Sequence, residues 1–259
     1  AIEYSQELER TSEELRSTAA QLESANLKLR ELDGQKDEFL SQVSHEVRTP
    51  MASIRSFSEI LLDDDLSDAQ RRRFVSTIHQ ESLRLTKLLD EILDLSALER
   101  GERPWDNVRI DAEAALDRAI EVCAPLAQRR HMHIVVGPRA GSAIVEGDTD
   151  RLCQVLINLI VNAIKYNDAD TPVVEVRSEV IDGSFVVEIS DNGPGIPANE
   201  AQAIFDMFTR GEHGRSDATP GAGLGLAISR KIITRMSGAL ELVPRDTRGA
   251  RFRVTLPAC

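Results

Sequence analysis

Two apolar stripes at helical spacing, separated by a short acidic turn, constrain the fold of this chain more than any other feature. Phe39, Val43, Val47, Ile54 and Leu61 recur at a period of about 3.6 residues up to the turn DDDLSD. Phe74, Ile78, Leu85, Leu88, Ile92, Leu95 and Leu98 repeat the pattern over about 68–98, and Gly101 and Pro104 close it. An antiparallel helical hairpin over 36–100 is the expectation. Two helices hide only one face of each other, so a homodimer that completes a four-helix bundle is the expected way to cover both stripes.

Upstream, Leu8, Leu15, Leu22 and Leu29 recur every seven residues in a stretch free of Pro up to Gly34, which predicts a coiled coil over 1–35. The companion seam is Thr11, Thr18, Ala25 and Leu32, or Ser5, Ser12, Ala19 and Asn26 in the other register. Both are small or polar, so the seam is weak, as suits a connector that switches between two packings. A single amphipathic helix lying on a domain is the alternative. The chain opens on Ala1 in mid-pattern, so an upstream sensor module outside this chain is expected.

Composition narrows the class. The 259 residues are 41% apolar, 29% charged and only 4% aromatic, a balance that favours long amphipathic helices. A net charge of −12 argues against a broad nucleic-acid surface. Cys123, Cys153 and Cys259 have neither zinc nor disulfide-framework spacing, so a reducing compartment fits. No run of about 18 apolar residues predicts a membrane span.

After a linker at 101–106 the texture changes, and 107–257 reads as one α/β domain with a mostly antiparallel sheet. Its elements are a helix over DAEAALDRAIEVCAPLAQRR, a strand-like HMHIVV, a helix over about 148–166, and two alternating segments joined at Asp182 and Gly183. That dipeptide is a two-residue hairpin signal. A Gly-rich loop, a helix over about 224–236 and a closing hairpin complete the domain.

The chemistry sits in five places. His45, in SQVSHEVRTPMASI, lies about 200° round the helix from both Val43 and Val47, so it points away from the stripe. Glu46 can bond one ring nitrogen and raise the nucleophilicity of the other, and Pro50 removes an amide and should bend the helix. An ordinary surface histidine is the alternative. In NLIVNAIKYN, Asn158, Asn162 and Lys165 share a helix face, and amide oxygens are mild Mg2+ ligands. DNGPGIP ends a strand with Asp191 and two glycines, Gly193 and Gly195, that permit close approach of a flat ligand. FDMFTRGEHGRSDATPG pairs Phe205 with Phe208 ahead of an expected mobile lid. In GAGLGLAIS, Gly221, Gly223 and Gly225 precede a helix whose free amides favour phosphate.

Together these motifs identify the chain as resembling the catalytic core of sensor histidine kinases of two-component signalling, over about 36–257. SHEVRTPM matches the phospho-acceptor box, NLIVNAIKYN the N box, DNGPGIP the G1 box, FDMF the F box and GAGLGLAI the G2 box. The resemblance implies an α+β chain: a dimerisation and phosphotransfer hairpin, then an ATP-binding α/β sandwich of the gyrase type with a mixed, mostly antiparallel sheet. It implies that His45 attacks the γ-phosphate of ATP with Glu46 as base, and that Thr49 positions water for phosphatase activity. It implies Mg2+ at Asn162 and Asn158, phosphate contacts at Lys165 and Arg210, and a ring of Tyr166 on adenine. Asp191 would accept from the adenine amino group, with Gly193, Gly195, Phe208, Gly221, Gly223, Leu224 and Gly225 shaping the pocket and lid. The implied partner is a response-regulator receiver domain, and the implied location is cytoplasmic, free or as part of a membrane-bound sensor. Val47, Met51 and Asn167 depart from the usual residues without removing a reactive group. A gyrase-like ATPase that leaves His45 idle, or a dimeric scaffold that binds nucleotide only as a ligand, are the rivals.

Overall fold

The computed structural model describes residues 2–62, 66–100, 108–209, 223–245 and 247–259, the side chains of 2–14 and a few other helical positions excepted. It divides into two compact units, Ala1–Asp65 and Leu66–Cys259.

The first unit is one helix, α1 (Ile2–Ile60), which runs through Gly34 and Pro50 without interruption. The expected boundary at 35–36 therefore marks no break in the backbone. Phe39, Val43, Val47, Ile54 and Leu61 are each half-buried while Leu15, Leu22 and Leu29 are exposed, so the two apolar patterns sit in different surroundings.

The second unit opens with α2 (Asp68–Arg100), within two residues of the helix read from the sequence. Its stripe is buried at Leu88 and Leu95 and half-buried at the other five positions. Next come β1 (Val108–Asp111), α3 (Ala112–Arg129), β2 (His133–Val136), β3 (Ile144–Gly147) and α4 (Thr149–Lys165). The hairpin β4 (Val173–Ile181) and β5 (Ser184–Asp191) follows, then a short 3-10 turn at Ala203–Phe205, α5 (Gly225–Arg235), β6 (Ala239–Leu242) and β7 (Arg251–Pro257). β1 and β3 pair antiparallel as a separate ribbon, and neither was anticipated.

The main sheet has the order β2-β4-β5-β7-β6, parallel only between β2 and β4. It is thus mixed and mostly antiparallel. Asp182 (φ 49°) and Gly183 (φ 72°) turn the β4–β5 hairpin with Ile181 opposite Ser184, as the dipeptide predicts. Val174, Val176, Phe185, Val187, Ile189, Val254 and Leu256 are fully or almost fully buried, and so are Leu116, Leu152, Leu156, Leu159 and Ile232 on the helices. Alternation along β5 puts Glu188 on the opposite face, where Arg177 and Arg253 flank it in register and both bond its carboxylate.

Candidate nucleotide site

The candidate site is built around α4. Asp148 caps the helix by accepting from the amides of Asp150 (2.9 Å) and Arg151 (3.1 Å), which satisfies two of its free donors. At the other end the Arg130 guanidinium donates to the carbonyls of Ile164 and Lys165, at 3.5 and 3.0 Å. Both ends are thereby pinned, which fixes the rotation of the face carrying Asn158, Asn162 and Lys165.

Asn158 faces α5. Its Nδ2 donates to Ser229 Oγ (3.0 Å), and a Cβ on Gly225 would stand 2.6 Å from its Oδ1. Gly225 therefore serves close helix packing, a use the sequence reading did not foresee. Asn162, one turn on, is half-buried. Lys165 Nζ lies 5.1 Å from the centroid of the Tyr166 ring. Burial pushes the Glu91 carboxyl of α2 up, and Lys87 and Lys165 oppose that rise.

Asp191 ends β5 with its backbone and side chain both held. Its amide donates to Ala250 O (3.0 Å), while its Oδ1 accepts from the amides of Gly193 (2.8 Å) and Ala250 (3.3 Å). Burial raises its pKa above the usual carboxylate value, and the two amides and Arg245 work against that rise. A Cβ on Gly193 would lie 3.0 Å from both Asn167 Cα and Asp191 Oδ1, so this turn packs on the chain leaving α4. Gly195 has φ 80°.

Sequence reasoning missed the ties that hold this turn. Asn192 Oδ1 accepts from Val173 N and from Asn167 Nδ2, both at 2.9 Å, and Asn192 Nδ2 donates to Thr171 O. Asn167, noted only as a departure from the usual Thr or Ser, thus joins α4 to the end of β5. Arg245 Nη1 donates to Asp191 O at 2.7 Å across 54 residues, for which the local sequence carries no signal.

The aromatic pair separates. Phe205 is a core residue, edge-on to Phe252 at 6.3 Å, with Arg230 stacked 5.0 Å from its centroid. Phe208, at φ 60°, donates its amide to Gly223 O (3.0 Å). Gly223 must be glycine there: its φ is 72°, and a Cβ would stand 2.8 Å from the Phe208 carbonyl carbon. Leu224, implied by the resemblance to shape the pocket and lid, is fully buried. Arg210, Gly221 and the expected lid lie outside the described residues.

His45, Glu46 and Thr49 are on α1, in the first unit. His45 is exposed, Glu46 half-buried and Pro50 buried. Thr49 Oγ1 donates to the His45 carbonyl at 3.3 Å. No group of three His, Cys, Asp or Glu side chains able to hold a metal occurs among the described residues, and no described helix is long and apolar enough to cross a membrane.

Two protein families match this chain, and the first match spans both α1 and α2. Residues 35–101 match the His Kinase A (phospho-acceptor) domain family, and 147–259 match the family of histidine kinase-, DNA gyrase B-, and HSP90-like ATPases. The aerobic respiration control sensor protein ArcB of Escherichia coli (strain K12) is 33% identical over 229 residues, 86% of this chain but 29% of ArcB. Full-length ShkA in complex with AMPPNP superposes with a TM-score of 0.62 at 26% identity, covering 86% of this chain and 46% of that one. The histidine kinase ThkA, solved with the response regulator TrrA, has the same fold, with a TM-score of 0.71 at 24% identity over 86% of this chain and 61% of that one.

Proposed function

Because this chain belongs to the sensor histidine kinases, we propose that it binds ATP between α4, the end of β5 and the start of α5, and transfers the γ-phosphoryl group to His45. The phosphoryl group then passes to an aspartate on the receiver domain of a separate response regulator. The observation that carries the reading is Asp191: a half-buried carboxylate with Oδ1 fixed by two backbone amides, in a turn whose Gly193 packs against the Tyr166 backbone. Such a group suits one hydrogen bond from an adenine amino group, which guanine lacks at that position. The AMPPNP complex of ShkA supports a nucleotide in this fold.

Each residue then has a part. Tyr166 stacks on the base, Lys165 and Arg210 meet phosphate oxygens, and the first amides of α5, which no side chain caps, are donors suited to phosphate. Asn162, half-buried on the α4 face, would hold Mg2+, whose chemistry when bound is to offset charge on the phosphates. Asn158, also assigned to Mg2+ by the family pattern, is tied by its amide to Ser229, so its first task is to seat α5.

On α1 the exposed His45 attacks phosphorus through one ring nitrogen; the bond to the bridging oxygen breaks, ADP leaves, and Glu46 takes the ring proton. Thr49 would position water for the reverse task, removal of phosphate from the regulator. Exposed Leu15, Leu22 and Leu29 support a homodimer through the coiled coil. A cytoplasmic setting, as part of a longer sensor, fits the 29% share of ArcB that the chain spans.

Equilibrium binding of ATP and GTP tests the site. ATP should bind more tightly than GTP, and Asp191→Asn should weaken ATP by about 10- to 100-fold. Equal affinity for the two nucleotides, unchanged in Asp191→Asn, would show that the base pocket is elsewhere.

A further inference from the structure

Arg245 lies between β6 and β7, outside every motif of the site, yet its guanidinium ends directly behind Asp191. Nη1 donates to the Asp191 carbonyl at 2.7 Å and reaches the Ala250 carbonyl at 3.5 Å. Ala250 is the residue whose amide holds Asp191 Oδ1 and whose carbonyl receives the Asp191 amide. One side chain therefore clamps both backbones that set the position of the carboxylate. Room for the clamped carbonyl is made by Gly249: a Cβ there would stand 1.9 Å from Asp191 O.

The charge of Arg245 matters as much as its bonds. Two other charged groups belong to the surroundings, Asp168 after α4 and Arg248 before β7. They pair with each other at 2.8 Å, with both side chains 60% exposed, so solvent screens them. Arg245 is half-buried, and its Nε is shielded from solvent without a hydrogen-bond partner. Its field thus reaches Asp191 through protein rather than water.

We propose that Arg245 is a positioning residue for base recognition: it fixes the Asp191 backbone from behind and supplies the positive charge that lets this half-buried carboxylate meet an adenine amino group as an anion. The proposal rests on the nucleotide reading of the site. Burial pushes the Asp191 carboxyl up, while the amides and Arg245 hold it down. A carboxylate that must be ionised to bind loses its ligand as pH falls through its own pKa. Neutralising Arg245 should therefore move that acid limb to higher pH.

Calorimetric titration of the full chain with ATP and Mg2+ from about pH 8 down to about pH 4 follows the limb, and carboxyl 13C NMR of Asp191 follows the ionisation without nucleotide. Arg245→Gln should shift both upward by about one pH unit, a roughly tenfold loss of ATP affinity inside the shifted window. Arg245→Lys keeps the charge and should restore the wild-type limb. Arg245→Met, which keeps the apolar stem, is a second neutral variant should Arg245→Gln fail to fold. An unshifted Asp191 titration in the neutral variants, or an equal loss of affinity at every pH, overturns the proposal and leaves Arg245 a structural clamp. Full ATP affinity in Asp191→Asn overturns the nucleotide reading itself, and the proposal with it.

Discussion

Gly249 concentrates the demands of the site on one residue. Its φ of 106° belongs to a region that side chains rarely adopt, and the Asp191 carbonyl oxygen occupies the space a Cβ would need. Gly249→Ala should cost about 2–4 kcal/mol in urea unfolding and weaken ATP binding through the displaced Asp191. Glu188 is a second such residue, on the far face of the sheet. Burial would raise its pKa, but hydrogen bonds from Arg253 and Arg177 hold it below the ordinary value. Its ionised form thus stabilises the fold above the unfolded-state pKa, and that contribution is lost as pH falls through the lower folded value. Glu188→Gln should destabilise the chain by about 1–3 kcal/mol near neutral pH, the exposure of both arginines reducing the figure. The difference from wild type should shrink as pH falls below about 4.5; a gap that stays constant would assign Glu188 no part in acid stability. Asp191, Gly193 and Asn162 could be singled out as candidates because each sits inside a short box with its own chemistry. Arg245 and Gly249 were not, because their partner is more than 50 residues away and no local pattern points to it.

Among elements, α2 shows most directly how packing and function meet. Its stripe was read from periodicity alone, and Leu95 is 1% exposed. Beside that residue, Asp94 accepts from Gln154 at 3.1 Å and pairs with Arg151 at 3.3 Å, and Arg151 in turn donates to Gln154 at 2.9 Å. This three-residue tie anchors α2 to the start of α4, the helix that carries Asn158, Asn162 and Lys165. Asp94→Ala should cost about 1–3 kcal/mol and raise amide exchange along 88–98, with the sheet amides unaffected. Unchanged exchange would mean that apolar packing alone holds α2. The β4–β5 hairpin was legible for a different reason, since Asp-Gly permits the positive φ that the turn requires. β1 and β3 were hidden because each is four residues long, and each runs into the N-cap of a helix. The start of α5 was read within one residue, but the full burial of Leu224 was not, because it depends on the packing around the helix start.

At the scale of the whole molecule, the proposed acceptor and the proposed nucleotide residues belong to separate compact units, His45 on α1 and Asp191 with α4 in the second. In the proposed reaction His45 must meet a nucleotide held by the second unit, and a weak helical seam upstream of His45 suits a switch between two packings. Leu15, Leu22 and Leu29 are each 66% exposed, which a partner helix would correct. Leu15→Glu with Leu22→Glu should weaken self-association by about tenfold or more in sedimentation equilibrium, while nucleotide affinity stays unchanged. An unaltered dimer would place self-association elsewhere in the chain. The central claim is that ATP bound in the second unit phosphorylates His45 in the first, and labelling from γ-32P-ATP tests it most directly. The account predicts an acid-labile, alkali-stable phosphoryl label on the wild-type chain that is absent from His45→Gln, although that variant still binds ATP. A wild-type chain that binds ATP yet stays unlabelled, or a His45→Gln chain labelled like the wild type, would contradict it.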